Sequence, residues 1–154
     1  MRTYEDFKRQ VAASEPAKYI AAEFLQRWKR CSVIIRPPGA LPVGSQDEGD
    51  IIAFIERIVE VKHRQIEFTC AEDYPYPDLI VSNVPSADRH NVAMWIIMNK
   101  SKTHAAIVTG ENKKKHAFKR KVFATNTHEY EENYIISKEY VKFVKLSETP
   151  VDNQ

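Results

Sequence analysis

The sequence predicts an α/β fold in which a mixed β-sheet is flanked by helices. Three observations lead there. An apolar stripe of helical spacing lies near the N-terminus, several short β-branched runs follow it, and the chain has room for one domain. At 154 residues, residues 1–154 read as a single unit: an N-terminal helix over 3–30, a core over 31–146 and a polar tail over 147–154. The 43% apolar and 29% charged content is ordinary for a globular protein.

The elements follow in order. Residues Tyr4 to Ala13 form a polar first helical piece. Ser14-Glu15-Pro16 reads as a restart, with Ser14 as N-cap and the proline in the first turn. Ile20, Phe24 and Trp28 recur at spacing four with Leu25 beside them, which makes a core-facing stripe. Cys31 to Ile35 is a short strand, and Arg36 to Gly49 is a loop rich in proline and glycine. Ile51–Ile55 and Ile58–Val61 are separated by Glu56-Arg57, which reads as a tight hairpin. Glu72 to Asn91 is irregular apart from the apolar run Leu79–Val81. Val92–Met98 and His104–Val108 form a second strand pair. A helical or looped basic tract follows, then a last strand-like pair at Tyr134–Ile136 and Tyr140–Leu146.

Charge is unevenly spread although the net value is only +2. Lys113, Lys114, Lys115, Lys119, Arg120 and Lys121 crowd into nine residues, while Asp47, Glu48 and Asp50, and Glu129, Glu131 and Glu132, concentrate the acids elsewhere. A basic tract set apart from acidic clusters suits a protein that grips a polyanion. No apolar run is long enough for a membrane span, and the first residues lack a signal peptide's apolar core. The expectation is a cytoplasmic protein without a membrane partner. Cys31 and Cys70 have no metal-site spacing, so they read as two reduced, buried thiols. The five histidines lack zinc spacing, and no glycine-rich phosphate loop is present, which argues against an ATP-driven enzyme.

The chemistry concentrates in Gly49-Asp50-Ile51 and Val59-Glu60-Val61-Lys62. In a strand, Glu60 and Lys62 point to one face while Val59 and Val61 point to the other. A hairpin would bring Asp50 level with them, and two carboxylates beside one ammonium suit a hard divalent cation and a phosphate. Lys62 would orient water and stabilise the transition state, since near two acids it keeps its proton. His63 and Arg64 follow at the strand end, as candidates for substrate phosphate. Lys100, Lys102 and His104 are weaker candidates on the second hairpin, and Tyr74 and Tyr76 read chiefly as loop packing.

This pattern resembles the PD-(D/E)XK nuclease superfamily, whose core is a helix followed by a four-stranded mixed sheet with the acid and the E-x-K on adjacent strands. The order matches over residues 16 to about 109. Gly49 stands where many members have proline. The resemblance implies a restriction-endonuclease-like α/β fold and hydrolysis of phosphodiester bonds in nucleic acid, DNA above all, with Mg2+ or Mn2+. It also implies that Asp50 and Glu60 bind the metal, that the Val61 carbonyl offers a third ligand, that Lys62 serves the water, and that Glu23 is the helix glutamate that joins some such sites. His63, Arg64, Lys113, Lys114, Lys115, Lys119, Arg120 and Lys121 are the nucleic-acid-binding set. Small nucleases of this kind are often homodimers. A second placement of the motif, Pro77-Asp78 with Glu111-Asn112-Lys113, is disfavoured because Gly110-Glu111-Asn112 reads as a turn. Two other classes stand beside the nuclease: an inactive nucleic-acid-binding module on the same core, and a small protein–protein adaptor.

Overall fold

Residues 4–29, 33–35, 51–53, 57–125 and 127–148 are described by a computed structural model, with side chains for 15–29, 58–125 and 127–148. The N-terminal stripe does form a helix, α1 (Tyr4–Lys29). It is continuous through Pro16, so the expected restart at Ser14 does not occur. An interior proline costs about 3 kcal/mol. Ala17, Ala21, Ala22, Phe24 and Leu25, immediately C-terminal to it, bury onto the sheet and outweigh that cost.

The sheet beneath α1 has six strands: β1 (Val33–Ile35), β2 (Ile51–Ala53), β3 (Arg57–His63), β5 (Met94–Met98), β6 (His104–Thr109) and β9 (Lys142–Lys145), in the order β1-β2-β3-β5-β6-β9. β1, β2 and β3 are antiparallel neighbours, and β5 lies parallel to β3 with Glu60 opposite Trp95. The remaining strands, β4 (Asp78–Asn83), β7 (Phe118–Ala124) and β8 (Glu129–Ser137), form a second, antiparallel sheet in the order β4-β8-β7. The fold is therefore mixed α/β with two sheets and, among the described residues, three α-helices.

The layers follow from alternation along β3 and β5. Val59, Ile96 and Met98 pack against α1, while Trp95 and Ile97 pack against Leu79, Val81 and Ile136 of the second sheet. The crossover from β3 to β5 carries β4 and then α2 (Val84–His90), capped by Asn83 accepting from the Ser86 amide at 2.8 Å and ended by Asn91 at φ 46°. Helix α3 (Gly110–His116) starts where β6 ends, capped by Thr109 accepting from the Asn112 amide at 3.1 Å.

Four expectations are corrected here. Residues 72–91 hold a strand and a helix rather than irregular chain. The turn expected at Gly110 is the first turn of α3. The last two strands are not a pair: β8 joins β4 and β7, while β9 pairs with β6. The reason is that β7 sets three consecutive charges between two exposed phenylalanines, and only its pairing with β8 defines it as a strand. Cys70 is a free, half-buried thiol rather than a buried one, and Cys31 lies outside the described residues. No described helix is long and apolar enough to cross a membrane.

Candidate active site

The site is built on the period of β3. Val59 is buried against α1 and Val61 packs on the same side, so Glu60 and Lys62 face the second sheet. There the Lys62 ammonium pairs with Glu60 Oε1. The other carboxylate oxygen, Oε2, accepts from the indole N–H of Trp95 at 3.0 Å and from the Ser82 hydroxyl at 3.5 Å. Trp95 is fully buried and Ser82 nearly so. The Glu60 carboxylate is thus held on both oxygens by groups from β3, β5 and β4.

Backbone direction adds one more oxygen. The Ile58 carbonyl accepts from the Ala93 amide at 2.9 Å and the Arg64 amide donates to the Met98 carbonyl at 2.9 Å, so even-numbered residues of this stretch bond toward β5. By alternation the Val61 carbonyl points to the β2 side. Ile51 of β2 pairs with Val59. Asp50, the residue before Ile51, lies outside the described residues.

The next two residues behave differently from Lys62. The His63 Nε2 donates to the Lys100 carbonyl at 3.0 Å, which ties the strand end to the β5–β6 turn. Arg64 is half-buried and donates to the Ile80 carbonyl at 3.1 Å. Desolvation lowers its guanidinium pKa from the ordinary value, opposed by Tyr74 and by Glu60. Arg64 also borders a cleft of ≈ 590 Å³ whose walls include Tyr76, Asp78, Ile80 and Arg120. Tyr74 is a core residue against Phe68 and Phe143, whereas Tyr76 is exposed.

The basic tract divides among several places. Lys113 is half-buried, with its Nζ 3.9 Å from the centre of the Tyr134 ring, 5.5 Å from that of Trp95 and 3.6 Å from Asp88 Oδ1. Lys119 Nζ is 5.6 Å from the same Tyr134 ring. Lys114 and Lys115 are exposed on α3, and Lys115 pairs with Glu111 at 2.8 Å. Arg120 pairs with Asp78 at 3.0 Å, and Lys121 is exposed on β7. The rival motif is therefore dispersed, because Asp78 and Glu111 each hold a separate cation.

Glu23 is not brought to Glu60. It is exposed on α1, on the opposite side of the sheet, beside Arg27, Lys102 and Lys145. A helix glutamate pointing away from the core cannot reach through the layer that Val59 and Ile96 seal. Among the described residues, no three His, Cys, Asp or Glu side chains come together to hold a metal. The donors that are described suit a hard cation in kind, a carboxylate and a backbone carbonyl, but a complete set requires Asp50.

Sequence reasoning missed Trp95, Ser82, Asp88 and Tyr134. Trp95 and Tyr134 sit in apolar strands and read as core. Ser82 and Asp88 sit in the segment taken as irregular. Only the position of Glu60 opposite Trp95 on adjacent strands carries a signal, and it needs the β3–β5 pairing to be known. No protein-family model and no curated protein matches this chain.

Proposed function

We propose that this chain is a metal-dependent nuclease that hydrolyses phosphodiester bonds of nucleic acid, with DNA the expected substrate, and that Glu60 and Lys62 work with Asp50 at its reaction centre. The observation that carries the reading is the Glu60–Lys62 pair on one face of β3, clamped by Trp95 and Ser82. The restriction-endonuclease-like reading of the fold is supported by the order of elements. A helix is followed by four strands of one mixed sheet, β1-β2-β3-β5, with the E-x-K strand adjacent to the strand that Asp50 precedes.

Magnesium or manganese held by Asp50, Glu60 and the Val61 carbonyl would supply neutralisation of the scissile phosphate and acidify water. The chain's own groups do the rest. Glu60 is oriented by two donors, so its carboxylate does not need to reorganise when substrate arrives. Lys62, two residues along the same face, places a cation where charge develops on the phosphate and can orient the attacking water. The exposed cations of α3 and β7 offer sequence-independent grip on the backbone.

Incubation of the protein with labelled DNA and Mn2+ tests this. The expected outcome is metal-dependent cleavage that Glu60→Gln and Lys62→Ala abolish while DNA binding persists. Absence of metal-dependent cleavage by the parent protein sinks the proposal and favours the second reading, a nucleic-acid-binding module on the same core.

A further inference from the structure

We infer that Lys113 and Lys119, set against the Tyr134 ring, form a phosphate-holding station beside the Glu60–Lys62 pair, taking a backbone phosphate of the same nucleic-acid strand that the pair acts on. The inference rests on the nucleic-acid reading above and selects which members of the basic tract serve the site.

Two rows of residues face one another. Across the second sheet, Ser82, Tyr134 and Lys119 lie side by side, since Tyr134 pairs with Ser82 on β4 and with Lys119 on β7. Across the main sheet, Glu60 lies beside Trp95. Ser82 reaches Glu60 at one end of the rows. Helix α3 brings Lys113 over the Tyr134 ring and to 5.5 Å from the centre of the indole that bonds Glu60. Helix α2 brings Asp88, which accepts from the Tyr134 hydroxyl at 2.8 Å. Trp95 therefore links the two places: its N–H bonds Glu60 and its ring centre lies 5.5 Å from the Lys113 ammonium.

The donors decide the class of ligand. Three ammonium groups, on Lys62, Lys113 and Lys119, stand with the carboxylates of Glu60 and Asp88, and Glu132 acts on Tyr134 from β8. Asp88 is 3.6 Å from Lys113, beyond a direct hydrogen bond, and its Oδ1 already accepts from Tyr134. Lys113 and Lys119 keep N–H donors that an aromatic face attracts without satisfying. A phosphate oxygen is the group that accepts from both. Lys114 and Lys115 differ: they stand on the exposed side of α3, and Lys115 is already paired with Glu111.

Fluorescence anisotropy of a labelled DNA oligonucleotide, measured against salt in EDTA, tests the station apart from cleavage. Lys113→Ala and Lys119→Ala are each expected to lower the slope of log affinity against log salt by about 1, with a several-fold loss of affinity. Lys115→Ala is expected to change the slope by much less. Tyr134→Phe, which keeps the ring, should retain binding, and Tyr134→Leu should weaken it. Thermal melting of each variant separates a folding defect, which moves the melting point without moving the slope. Unchanged slopes in Lys113→Ala and Lys119→Ala overturn the inference even if the parent cleaves DNA. Reduced slopes in the two variants of a parent that fails to cleave uphold it while the nuclease reading falls. Competition by poly-glutamate as strong as that by unlabelled oligonucleotide overturns it in favour of an acidic protein partner.

Discussion

The indole N–H of Trp95 donates a 3.0 Å hydrogen bond to Glu60 Oε2 across 35 residues of sequence. The two are direct neighbours on parallel strands, so the bond depends on the β3–β5 pairing and on nothing local. It gives a buried tryptophan its one N–H partner and gives the candidate carboxylate a fixed orientation.

Trp95→Phe removes that donor and keeps an aromatic ring in the core. Groups that orient a ligating carboxylate are typically worth 10–100-fold in metal affinity or rate. The variant is expected to stay folded and to lose about tenfold in Mn2+-dependent cleavage, read from initial rates at saturating DNA. A rate equal to that of the parent would show that Glu60 does not depend on the indole.

Arg64 is expected to act on stability more than on DNA affinity. Its guanidinium donates to the Ile80 carbonyl and so bridges the two sheets. Arg64→Met should cost about 2 kcal/mol, the worth of a charge-assisted hydrogen bond with a desolvated partner. Urea unfolding measures that cost. A lowered salt slope of DNA binding at unchanged stability would instead return Arg64 to the phosphate-contact role that its place after Lys62 suggests.

Asn99 holds the β5–β6 turn from inside the core. Its amide nitrogen donates to Glu67, to the Phe68 carbonyl and to Thr103, and its carbonyl oxygen accepts from the amides of Thr103 and His104. Asn99→Ala strands the buried Phe68 carbonyl and frees the part-buried amides of Thr103 and His104, and should cost about 3 kcal/mol. The test is chemical denaturation, where a loss below about 1 kcal/mol would mean that water replaces the side chain.

The 69–73 loop carries the clearest pH dependence. The Thr69 hydroxyl, then the Cys70 and Thr69 amides, hold the Asp73 carboxylate down to about 2 from 3.8. A depressed acid contributes stability that is present above its unfolded value and lost as pH falls through its folded one. Loop protection should therefore be constant above about pH 4 and decline between 3.8 and 2. Amide exchange of Thr69 and Cys70 across that window measures it, and Asp73→Asn should abolish the pH dependence.

Much of the main sheet was legible in the sequence, because its strands are apolar runs and its helix carries a stripe. The strand pair Glu60–Lys62 followed from a period of two alone, and the structure places both on the side away from α1. The second sheet was not legible. β7 buries none of its side chains and carries three consecutive charges between two exposed phenylalanines, so its hydrophobic pattern is silent. The basic tract illustrates the same limit. Nine residues that read as one patch are split by a helix–strand junction at Ala117, which sends Lys113 inward, Lys115 to Glu111 and Arg120 to Asp78.

By itself, the sequence determined that Glu60 and Lys62 share a face, because side-chain direction along a strand is a local property. Tertiary structure alone decided what those two meet. Trp95 and Ser82 reach Glu60, and Tyr134 reaches Lys113, through strand pairings and a crossover that bring together residues tens of positions apart. Those pairings are set by burial between two layers, and no short window of sequence contains that information.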